Sequence, residues 1–345
     1  MREIKNNEFI LDVLLSCDAR GISMNVKLAP APKDGVLPEK FFVTSNRRTW
    51  ILLNGERIEV KNIRMDCCIV VRPEERVALC VEPRRVKRGE LVVVGDEGVL
   101  EEGEEFRFMG EVTSPERPAH IIVEELAKLM IEVKKRRGRI FVVAGPAVIH
   151  AGGREALAEI IRSGLVDVLI TGNGLAVHDI EASVYGTSLG VSLETGEYID
   201  HRNHIWTINK VRDVGSIREA VNRGVVKDGV MYECIKNNVK YILVGSIRDD
   251  GPLPDTIMDM VRAQDEIRRE ILKGVDLVLC LATALLTIGV CNMLPYRVKV
   301  FVVDINPAVG IKVKDRGSQQ VFSVVTDVGL FLRNLAKVIK QTRIV

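Results

Sequence analysis

Small and polar residues follow four apolar runs in the second half of the chain. The runs, each with the residues after it, are VDVLITGNGLA at 166–176, YILVGSIRDD at 241–250, VDLVLCLATAL at 275–285 and VKVFVVDINPA at 298–308. An apolar run that ends abruptly in glycine, aspartate or threonine is typical of a buried parallel strand whose carboxyl end opens onto a ligand crevice. These residues therefore predict one binding site built from several strand ends.

The residue types at these strand ends suit a dinucleotide. Asp304 ends a very apolar run, and a carboxylate there can accept hydrogen bonds from both hydroxyls of a ribose. Helices are predicted to begin at Thr283 and Asp327, where free N–H groups suit phosphate. The GNG turn at 172–174 allows a backbone to approach a ligand closely. Each aspartate also has a structural interpretation, as a cap of a turn or helix, and the GxGxxG fingerprint is missing.

Histidines near the same turn are the candidates for proton transfer and for metal binding. His178 and Asp179 follow the GNG turn, and a histidine beside a carboxylate can shuttle protons. A structural hydrogen bond at a helix start is the alternative for His178. His201 and His204 have a spacing found in metal sites, but no third ligand clusters with them in the sequence, so we predict no metal.

The composition limits the class of protein. The chain has 345 residues, 47% apolar and 28% charged, which is typical of a soluble globular protein long enough for two domains. A net charge of +2 gives no electrostatic case for nucleic acid. Seven cysteines without a CxxC motif suit a reducing cytoplasm. Residues 277–294 carry no charge, but they divide into a strand and a helix, so we predict no membrane span.

The elements predict two domains. Residues 1–112 contain short β-type runs, two of them joined by the hairpin signal Asn54-Gly55. We predict a mainly β domain there, as a small barrel or an α+β module, which forms a wall or lid over the substrate. Residues 113–118, TSPERP, form a predicted linker. Residues 119–345 alternate strands and helices, which predicts a Rossmann-like parallel sheet with helices on both faces and all strand carboxyl ends on one rim.

The expected elements of this second domain can be placed in order. Helical periodicity begins after the linker. Strands are then predicted at 139–145, 167–171, 240–244, 276–282, 298–303 and 321–325, and helices at 154–163, 175–185, 216–223, 230–237, 255–273, 284–293 and 327–340.

Longer motifs resemble a known family. They are VAGPAVIHAGG, TGNGLAVHDIEA, GTSLG, GVMYECIKN, VGSIRDDGPLPD, LATALLTIGVCNMLP, VVDINPAV and VVTDVGLFL, with APAPKDGVLPEKFFVTSN and MDCCIVV in the first domain. Together they cover most of the chain and resemble the archaeal-type ornithine cyclodeaminase family, also labelled by likeness to lysine–oxoglutarate reductase/saccharopine dehydrogenase. The resemblance implies a deoxyhypusine-synthase-like NAD-binding domain and conversion of L-ornithine to L-proline with loss of ammonia.

The resemblance also implies site residues. The implied NAD contacts are Asn173, Gly174, Asp250, Thr283, Ala284, Leu285, Asp304, Ile305, Asp327 and Val328. Relatives commonly carry Ala where this chain has Gly174, a change that loosens the turn without blocking a backbone contact. For proton transfer we predict His178 first, with Asp179 and Asp250 as the other candidates. For the substrate carboxylate we predict Arg248, or an arginine of the β domain such as Arg47 or Arg48.

Two other functions stay open at this point. One is a conventional NAD-dependent amino-acid dehydrogenase of the saccharopine dehydrogenase type, and the other is a non-enzymatic NAD-binding regulatory protein. We expect a small amino acid as the partner, a homo-oligomer, and no nucleic-acid or membrane partner. Because the chain lacks the long N-terminal extension of arginine-degrading relatives, we expect no arginine dihydrolase activity.

Overall fold

The computed structural model describes residues 25–45, 47–102, 119–249, 251–315 and 321–344. The chain forms two compact units, Met1–Glu104 and Glu105–Val345. The predicted linker at 113–118 and the predicted site residue Asp250 lie outside the described residues, so the proposed boundary between the domains stays a prediction.

The first unit is a mixed β-sheet. Its seven strands are β1 Lys27–Pro30, β2 Arg48–Leu53, β3 Glu56–Lys61, β4 Cys68–Arg72, β5 Val77–Val81, β6 Leu91–Val94 and β7 Val99–Glu102. They lie in the order β1-β6-β4-β5-β3-β2-β7, and neighbours are antiparallel except β3 and β5. The N–H of Val26, just before the edge strand β1, donates to the Leu52 carbonyl of β2 at 2.9 Å. Strand β2 lies next to the opposite edge of the sheet. The sheet therefore curls, and the mainly β prediction is confirmed.

The predicted hairpin is present between β2 and β3. Leu53 pairs with Glu56 across a two-residue turn. Both turn residues adopt positive φ angles, 52° at Asn54 and 80° at Gly55. A two-residue hairpin turn of this kind needs a left-handed backbone at both positions, which asparagine and glycine tolerate best.

The second unit contains the predicted parallel sheet. Its strands are β8 Ile140–Ala144, β9 Val168–Gly172, β12 Lys240–Val244, β13 Thr256–Ile257, β14 Leu277–Leu281, β15 Lys299–Asp304 and β16 Val321–Val325, with a separate small hairpin of β10 Thr187–Ser188 and β11 Val191–Ser192. The sheet order is β13-β12-β9-β8-β14-β15-β16. Strand β8, the first in the sequence, is therefore central. Strands β9, β12 and β13 follow on one side, and β14, β15 and β16 follow on the other.

Helices cover both faces of this sheet. They are α1 Ala119–Lys135, α2 Ala147–His150, α3 Arg154–Arg162, α4 Asn173–Tyr185, α5 Arg202–Val214, α6 Ile217–Asn222, α7 Val230–Lys236, α8 Met260–Leu272, α9 Ala284–Cys291, α10 Pro307–Asp315 and α11 Val328–Ile344. Alternate residues of a strand point to opposite faces. Accordingly Ile140 and Val142 pack in one core cluster with α1, α3, α4, α7 and α11, whereas Phe141 and Val143 pack in a second cluster with α8, α9 and α10.

The stretch between 186 and 215 contains elements that the sequence analysis did not predict. They are the β10–β11 hairpin and the thirteen-residue helix α5. The buried residues of α5 are Asn203, Thr207, Ile208 and Val211, and two of these are polar. Its apolar stripe is therefore too weak to give a periodic signal. The sequence also gave no signal for α2, α10 or the short strand β13.

The uncharged segment 277–294 divides as predicted, into β14 and α9. Among the described helices, none is both long enough and apolar enough to cross a membrane.

Candidate active site

Six neighbouring parallel strands end along one rim of the sheet. In spatial order they are β12, β9, β8, β14, β15 and β16. Because all their pairings are parallel, the carboxyl ends lie side by side. The structure therefore brings Asn173, Thr283, Asp304 and Asp327, which follow or end four of these strands, to the same rim. The prediction that the strand carboxyl ends share one rim is confirmed, whereas the binding site at this rim stays a prediction.

The strand order reverses beside Gly145, at the end of β8. The next strand in the sequence, β9, pairs with β8 on one side, and the later strand β14 pairs with β8 on the other side. In such sheets ligands bind in the crevice at this reversal. The Gly145 N–H donates to the Leu281 carbonyl at 2.9 Å, and a Cβ on Gly145 would lie 2.1 Å from the carbonyl oxygen of Ala282. Ala282 has φ 47°, an unfavourable left-handed backbone for a residue with a side chain. Strain of this kind is often found at ligand sites.

Two helices start at this crevice without a side-chain cap. Gly172 precedes α4 and has no side chain that could cap the helix. Thr283 precedes α9, and its side chain makes no capping hydrogen bond. The first N–H groups of a helix have no partner within the helix, and they attract anions. Gly174 has only Pro146 near its missing Cβ, at 3.8 Å, so its backbone stays accessible. The helix starts therefore offer donors for a phosphate on both sides of β8.

Asp304 and Asp327 each make the capping contact that the sequence analysis gave as the alternative to ligand binding. Oδ1 of Asp304 accepts from the Asn306 N–H at 2.8 Å, and Oδ1 of Asp327 accepts from the Leu330 N–H at 2.7 Å. Each contact uses one oxygen of the carboxylate. Beside Asp304, Ile305 is 74% exposed, and Leu285, at the start of α9 after the neighbouring strand β14, is 84% exposed. Exposed apolar side chains next to a carboxylate suit a nucleoside, which has an apolar ring and two hydroxyls.

Asn173 holds the loop that follows β12. Its Oδ1 accepts from the Leu253 N–H at 3.0 Å and from the Thr256 hydroxyl at 3.1 Å, and its Nδ2 donates to Asp249 at 3.3 Å. The side chain is therefore engaged with protein groups, and any cofactor contact of Asn173 is through its backbone. Arg248 lies exposed in the same loop, where its N–H donates to the Ser246 hydroxyl at 3.2 Å.

Asp179 has a structural environment. Its side chain is fully buried, and its carboxylate accepts from Arg154 at 2.8 Å and from the N–H groups of Val230 and Met231 at 2.9 and 2.7 Å. Burial raises the pKa of Asp179, and the Arg154 guanidinium and the two N–H groups oppose that rise. The carboxylate caps the start of α7 and ties it to α3 and α4, which leaves it no free position beside a substrate.

His178 lies in a group of imidazoles that the sequence did not predict. Its ring centroid lies 4.7 Å from that of His150 and 5.1 Å from that of His204, so helices α2, α4 and α5 each contribute one ring. His178 itself is 6% exposed. Burial and the nearby His178 lower the pKa of His150, which favours its neutral form. The Nδ1 atom of His150 also lies 3.1 Å from the Ser188 hydroxyl.

A buried carboxylate lies at the centre of this group. Glu181 accepts from the Thr187 hydroxyl at 2.8 Å, from the Gly190 N–H at 2.8 Å and from the Leu189 N–H at 3.1 Å. Its Oε2 lies 3.4 Å from Nδ1 of His204 and 3.8 Å from Nδ1 of His178. Burial raises the pKa of Glu181, but its contacts with these two histidines, Gly190 and Thr187 outweigh burial and hold that pKa well below the ordinary value. Glu181 is therefore ionised at neutral pH.

The same side chains have the donor types of a metal site. One ligand atom from each of His178, Glu181 and His204 lies within 4.8 Å of the others, and two histidines with a carboxylate are a known zinc ligand set. His201 is not in this group, because it is exposed and its Nδ1 lies 3.4 Å from the Leu189 carbonyl. The grouping thus differs from the His201–His204 pair considered from the sequence. The expectation of no metal stays a prediction.

Sequence reasoning missed Glu181, although one signal was available. Glu181 follows His178 by three positions, so the two side chains share one face of a helix. What the sequence could not give was the approach of His204 and His150 from two other helices.

The thiols of the first unit are enclosed. Cys67, Cys68 and Cys80 are all buried, and the guanidinium of Arg64, paired with Glu82, lies near Cys80. Burial raises the pKa of Cys68 to about 12. Burial also raises the pKa of Cys80, but hydrogen bonding to Cys67 and the charge of Arg64 outweigh burial and lower that pKa below its ordinary value. The cation that a thiolate requires is therefore present, but the thiols have no exposed surface for a substrate.

Comparisons with known proteins identify the family. Residues 124–335 match a family model described as arginine dihydrolase ArgZ-like, C-terminal, Rossmann fold, and residues 48–123 match the model of the first region of the same C-terminal part. A curated ornithine cyclodeaminase of Methanopyrus kandleri is 52% identical over 331 residues, which are 93% of this chain and 80% of that protein. The chain belongs to the ornithine cyclodeaminase family. The family resemblance read from the sequence motifs is confirmed.

Two solved structures of the family share the fold. A conserved LOR/SDH protein from Methanococcus maripaludis is 42% identical, with a TM-score of 0.87, and the match covers 92% of this chain and 99% of that one. AgrE, a bifunctional arginine dihydrolase/ornithine cyclodeaminase of Nostoc, was solved as a ternary complex with ornithine and NAD+. It is 43% identical, with a TM-score of 0.64, and the match covers 94% of this chain but 47% of AgrE. The predicted fold class, a mainly β unit before a Rossmann-like unit, is confirmed, and the finer likeness to deoxyhypusine synthase stays a prediction.

Proposed function

We propose that this protein is an ornithine cyclodeaminase that converts L-ornithine to L-proline and ammonia with NAD at the strand rim. One observation carries the proposal. Two uncapped helix starts flank Gly145 where the strand order reverses, with Asp304 two strands away, in a chain 43% identical to AgrE, which was solved with ornithine and NAD+.

The residues of the rim fit a nicotinamide dinucleotide. Free N–H groups at the start of α9 supply donors for the diphosphate, and the second oxygen of Asp304 supplies an acceptor for ribose. The exposed side chains of Leu285 and Ile305 provide apolar surface for a base. We assign the cofactor contacts to Asn173, Gly174, Asp250, Thr283, Ala284, Leu285, Asp304, Ile305, Asp327 and Val328.

The chemistry divides between the cofactor and the protein. When bound, NAD accepts a hydride from Cα of ornithine and returns it later in the same turnover, so the reaction has no net redox change. His178 is assigned to accept the proton that the substrate amino group must lose. Arg248 is assigned to the substrate carboxylate. Asp179 was also a candidate base, but its ion pair with Arg154 and its two backbone contacts favour His178.

The decisive experiment is an incubation of the purified protein with L-ornithine, first without added NAD and then with it, while ammonia, proline and nicotinamide absorbance are measured. We expect ammonia and proline in equal amounts and no net change in absorbance. A dehydrogenase would instead reduce NAD in proportion to turnover, and a regulatory NAD-binding protein would form neither product. Absence of both products with NAD supplied would rule out the cyclodeaminase.

A matched pair of variants tests the cofactor site in the same assay. Asp304→Asn should weaken NAD binding about 10-fold or more, because a carboxylate hydrogen bond contributes about 1.5–3 kcal/mol. Asp315→Asn, at the exposed end of α10, should leave NAD binding unchanged. Equal NAD affinities of the two variants would place the ribose elsewhere.

We also infer a cytoplasmic homo-oligomer. The six described cysteines are all free, which suits a reducing compartment. Large apolar side chains of the second unit are exposed, among them Leu189, Leu193, Ile205 and Trp206, and clustered exposed apolar groups commonly mark subunit contacts. Light scattering coupled to gel filtration would give the mass, and a monomer at micromolar concentration would contradict the inference.

A further inference from the structure

We infer that Glu181 is a positioning residue. It anchors the Nδ1 sides of His178 and His204, so that Nε2 of each ring faces away from the carboxylate and is free to exchange protons at the active site. The inference rests on the proposed function only in that the two rings exchange protons with the substrate of that reaction. The arrangement itself can be tested without turnover.

The geometry around Oε2 of Glu181 carries the inference. Nδ1 of His204 lies 3.4 Å from this oxygen, within reach of a hydrogen bond, and Nδ1 of His178 lies 3.8 Å away. The latter distance is too long for a hydrogen bond, yet Nδ1 of His178 is buried without any other partner. A buried polar atom without a partner costs about 1–3 kcal/mol. A hydrogen bond from Nδ1 of His178 to the nearby Glu181 would remove that cost.

The two nitrogens of an imidazole point in different directions from the ring. If the neutral ring carries its proton on Nδ1, Nε2 is an acceptor, and the partner of Nδ1 decides which tautomer is present. An ionised carboxylate such as Glu181 accepts hydrogen bonds and cannot donate them. Glu181 therefore selects the Nδ1–H tautomer in both rings and leaves each Nε2 able to take a proton.

Glu181 is itself held in place by a chain of hydrogen bonds. The Asn203 amide donates to the Thr187 hydroxyl at 3.1 Å, and that hydroxyl donates to Glu181 at 2.8 Å. The Gly190 N–H donates to the same oxygen, Oε1, at 2.8 Å, and the Leu189 N–H donates to Oε2 at 3.1 Å. Three donors of the β10–β11 segment thus hold the carboxylate, and Asn203 of α5 supports one of them, which fixes its orientation and makes it suited to fix the two rings. Supporting groups of this kind typically change activity 10–100-fold when they are lost.

The first test reads the tautomers directly. The chain has five histidines, so a protein labelled with ¹⁵N-histidine gives few ring signals, and His178→Asn and His204→Asn assign them. In mildly alkaline buffer we expect both rings to show a protonated Nδ1 and an unprotonated Nε2. In Glu181→Gln we expect a shift toward the Nε2–H form. An Nε2–H tautomer for both rings of the unmodified protein would overturn the inference.

The second test separates positioning from a purely structural role. With ornithine as substrate, Glu181→Gln should lower kcat about 10–100-fold, while KM and NAD affinity stay within about twofold. The control is Glu233→Gln, because Glu233 is also buried and paired, with Arg162, but lies on α7 outside this group. It should lower the melting temperature without lowering kcat. Equal kcat values for the two variants would show that Glu181 only holds the turn.

Two further outcomes are informative. If Glu181→Gln does not fold, Thr187→Val removes one support of the carboxylate and should produce a smaller change in tautomer and kcat in the same direction. If the protein retains stoichiometric zinc after purification, and zinc binds through Nδ1 of both rings, the group is a metal site and the inference fails. If the unmodified protein forms no proline, the proposed function fails, and the tautomer result still decides the role of Glu181.

Discussion

Gly145 and Gly174 both lie at the proposed cofactor site, yet their surroundings differ. A Cβ at Gly145 would meet the Ala282 backbone at 2.1 Å, whereas a Cβ at Gly174 would have Pro146 as its nearest neighbour at 3.8 Å. Gly174 also lies within helix α4, where glycine is less favourable than alanine. At the scale of single residues, the first glycine is required by packing and the second is not.

We therefore expect opposite effects from the same substitution. Gly174→Ala should raise the free energy of unfolding by about 0.5–1 kcal/mol, with NAD affinity unchanged. Gly145→Ala should lower the free energy of unfolding by about 1–3 kcal/mol and weaken NAD binding, because the crevice must open. Urea unfolding and NAD titration of both variants provide the measurements. A Gly145→Ala protein as stable as the unmodified chain would contradict the packing described here.

At the scale of elements, Arg154 joins three helices. It projects from α3, pairs with Asp179 of α4 at 2.8 Å, and its Nη2 donates to the Asp228 carbonyl at 3.1 Å just before α7. Asp179 in turn accepts from the first N–H groups of α7. Because Asp179 is fully buried, its charge depends on these partners.

Removing the guanidinium should be costly. We expect Arg154→Met to lower the free energy of unfolding by about 3–5 kcal/mol, since it leaves a buried carboxylate without its counter-ion. The matched control is Arg223→Met, which breaks an exposed pair with Glu219 at 3.7 Å and should cost about 1 kcal/mol or less. Chemical denaturation of both variants compares them. Similar losses would mean that Asp179 is not charged in the folded protein.

At the scale of the whole molecule, buried carboxylates couple folding to pH. Glu270 of α8 is buried and pairs with Arg139, which precedes β8, and with Lys273. Burial raises the pKa of Glu270, but hydrogen bonds from Lys273 and Arg139 outweigh burial and lower it below the ordinary 4.5. A lowered pKa means that the ionised form stabilises the folded state. This contribution is complete above pH 4.5 and is lost as the pH falls through the folded-state pKa.

The corresponding variant is Glu270→Gln. At pH 7 we expect it to be about 1–2 kcal/mol less stable than the unmodified chain, and the difference should narrow as the pH falls below 4.5. Glu155→Gln, at an exposed carboxylate, should show little difference at any pH. Urea unfolding across this pH range gives the result. A gap that widens toward acid would show that the sign of the pKa shift is wrong.

Much of the Rossmann-like unit could be predicted because its strands are local features. The strand Lys240–Val244 has the same bounds in the prediction and in the structure, and β16 also matches. Strands β8 and β14 are buried at every residue and are apolar along their whole length, so composition alone reveals strands of this kind. The rim followed from this, because parallel strands place their carboxyl ends together.

Tertiary structure alone decided the group formed by His178, Glu181 and His204. In the sequence, Glu181 is one of many helical glutamates, and helix α5, which supplies His204, has too weak an apolar stripe to be recognised. The packing of α4 against α5 and the β10–β11 turn buries Glu181 and supplies its three backbone and hydroxyl donors. Local periodicity fixes which residues form strands and helices. It does not fix which side chains of separate helices meet, because that depends on how the whole chain packs.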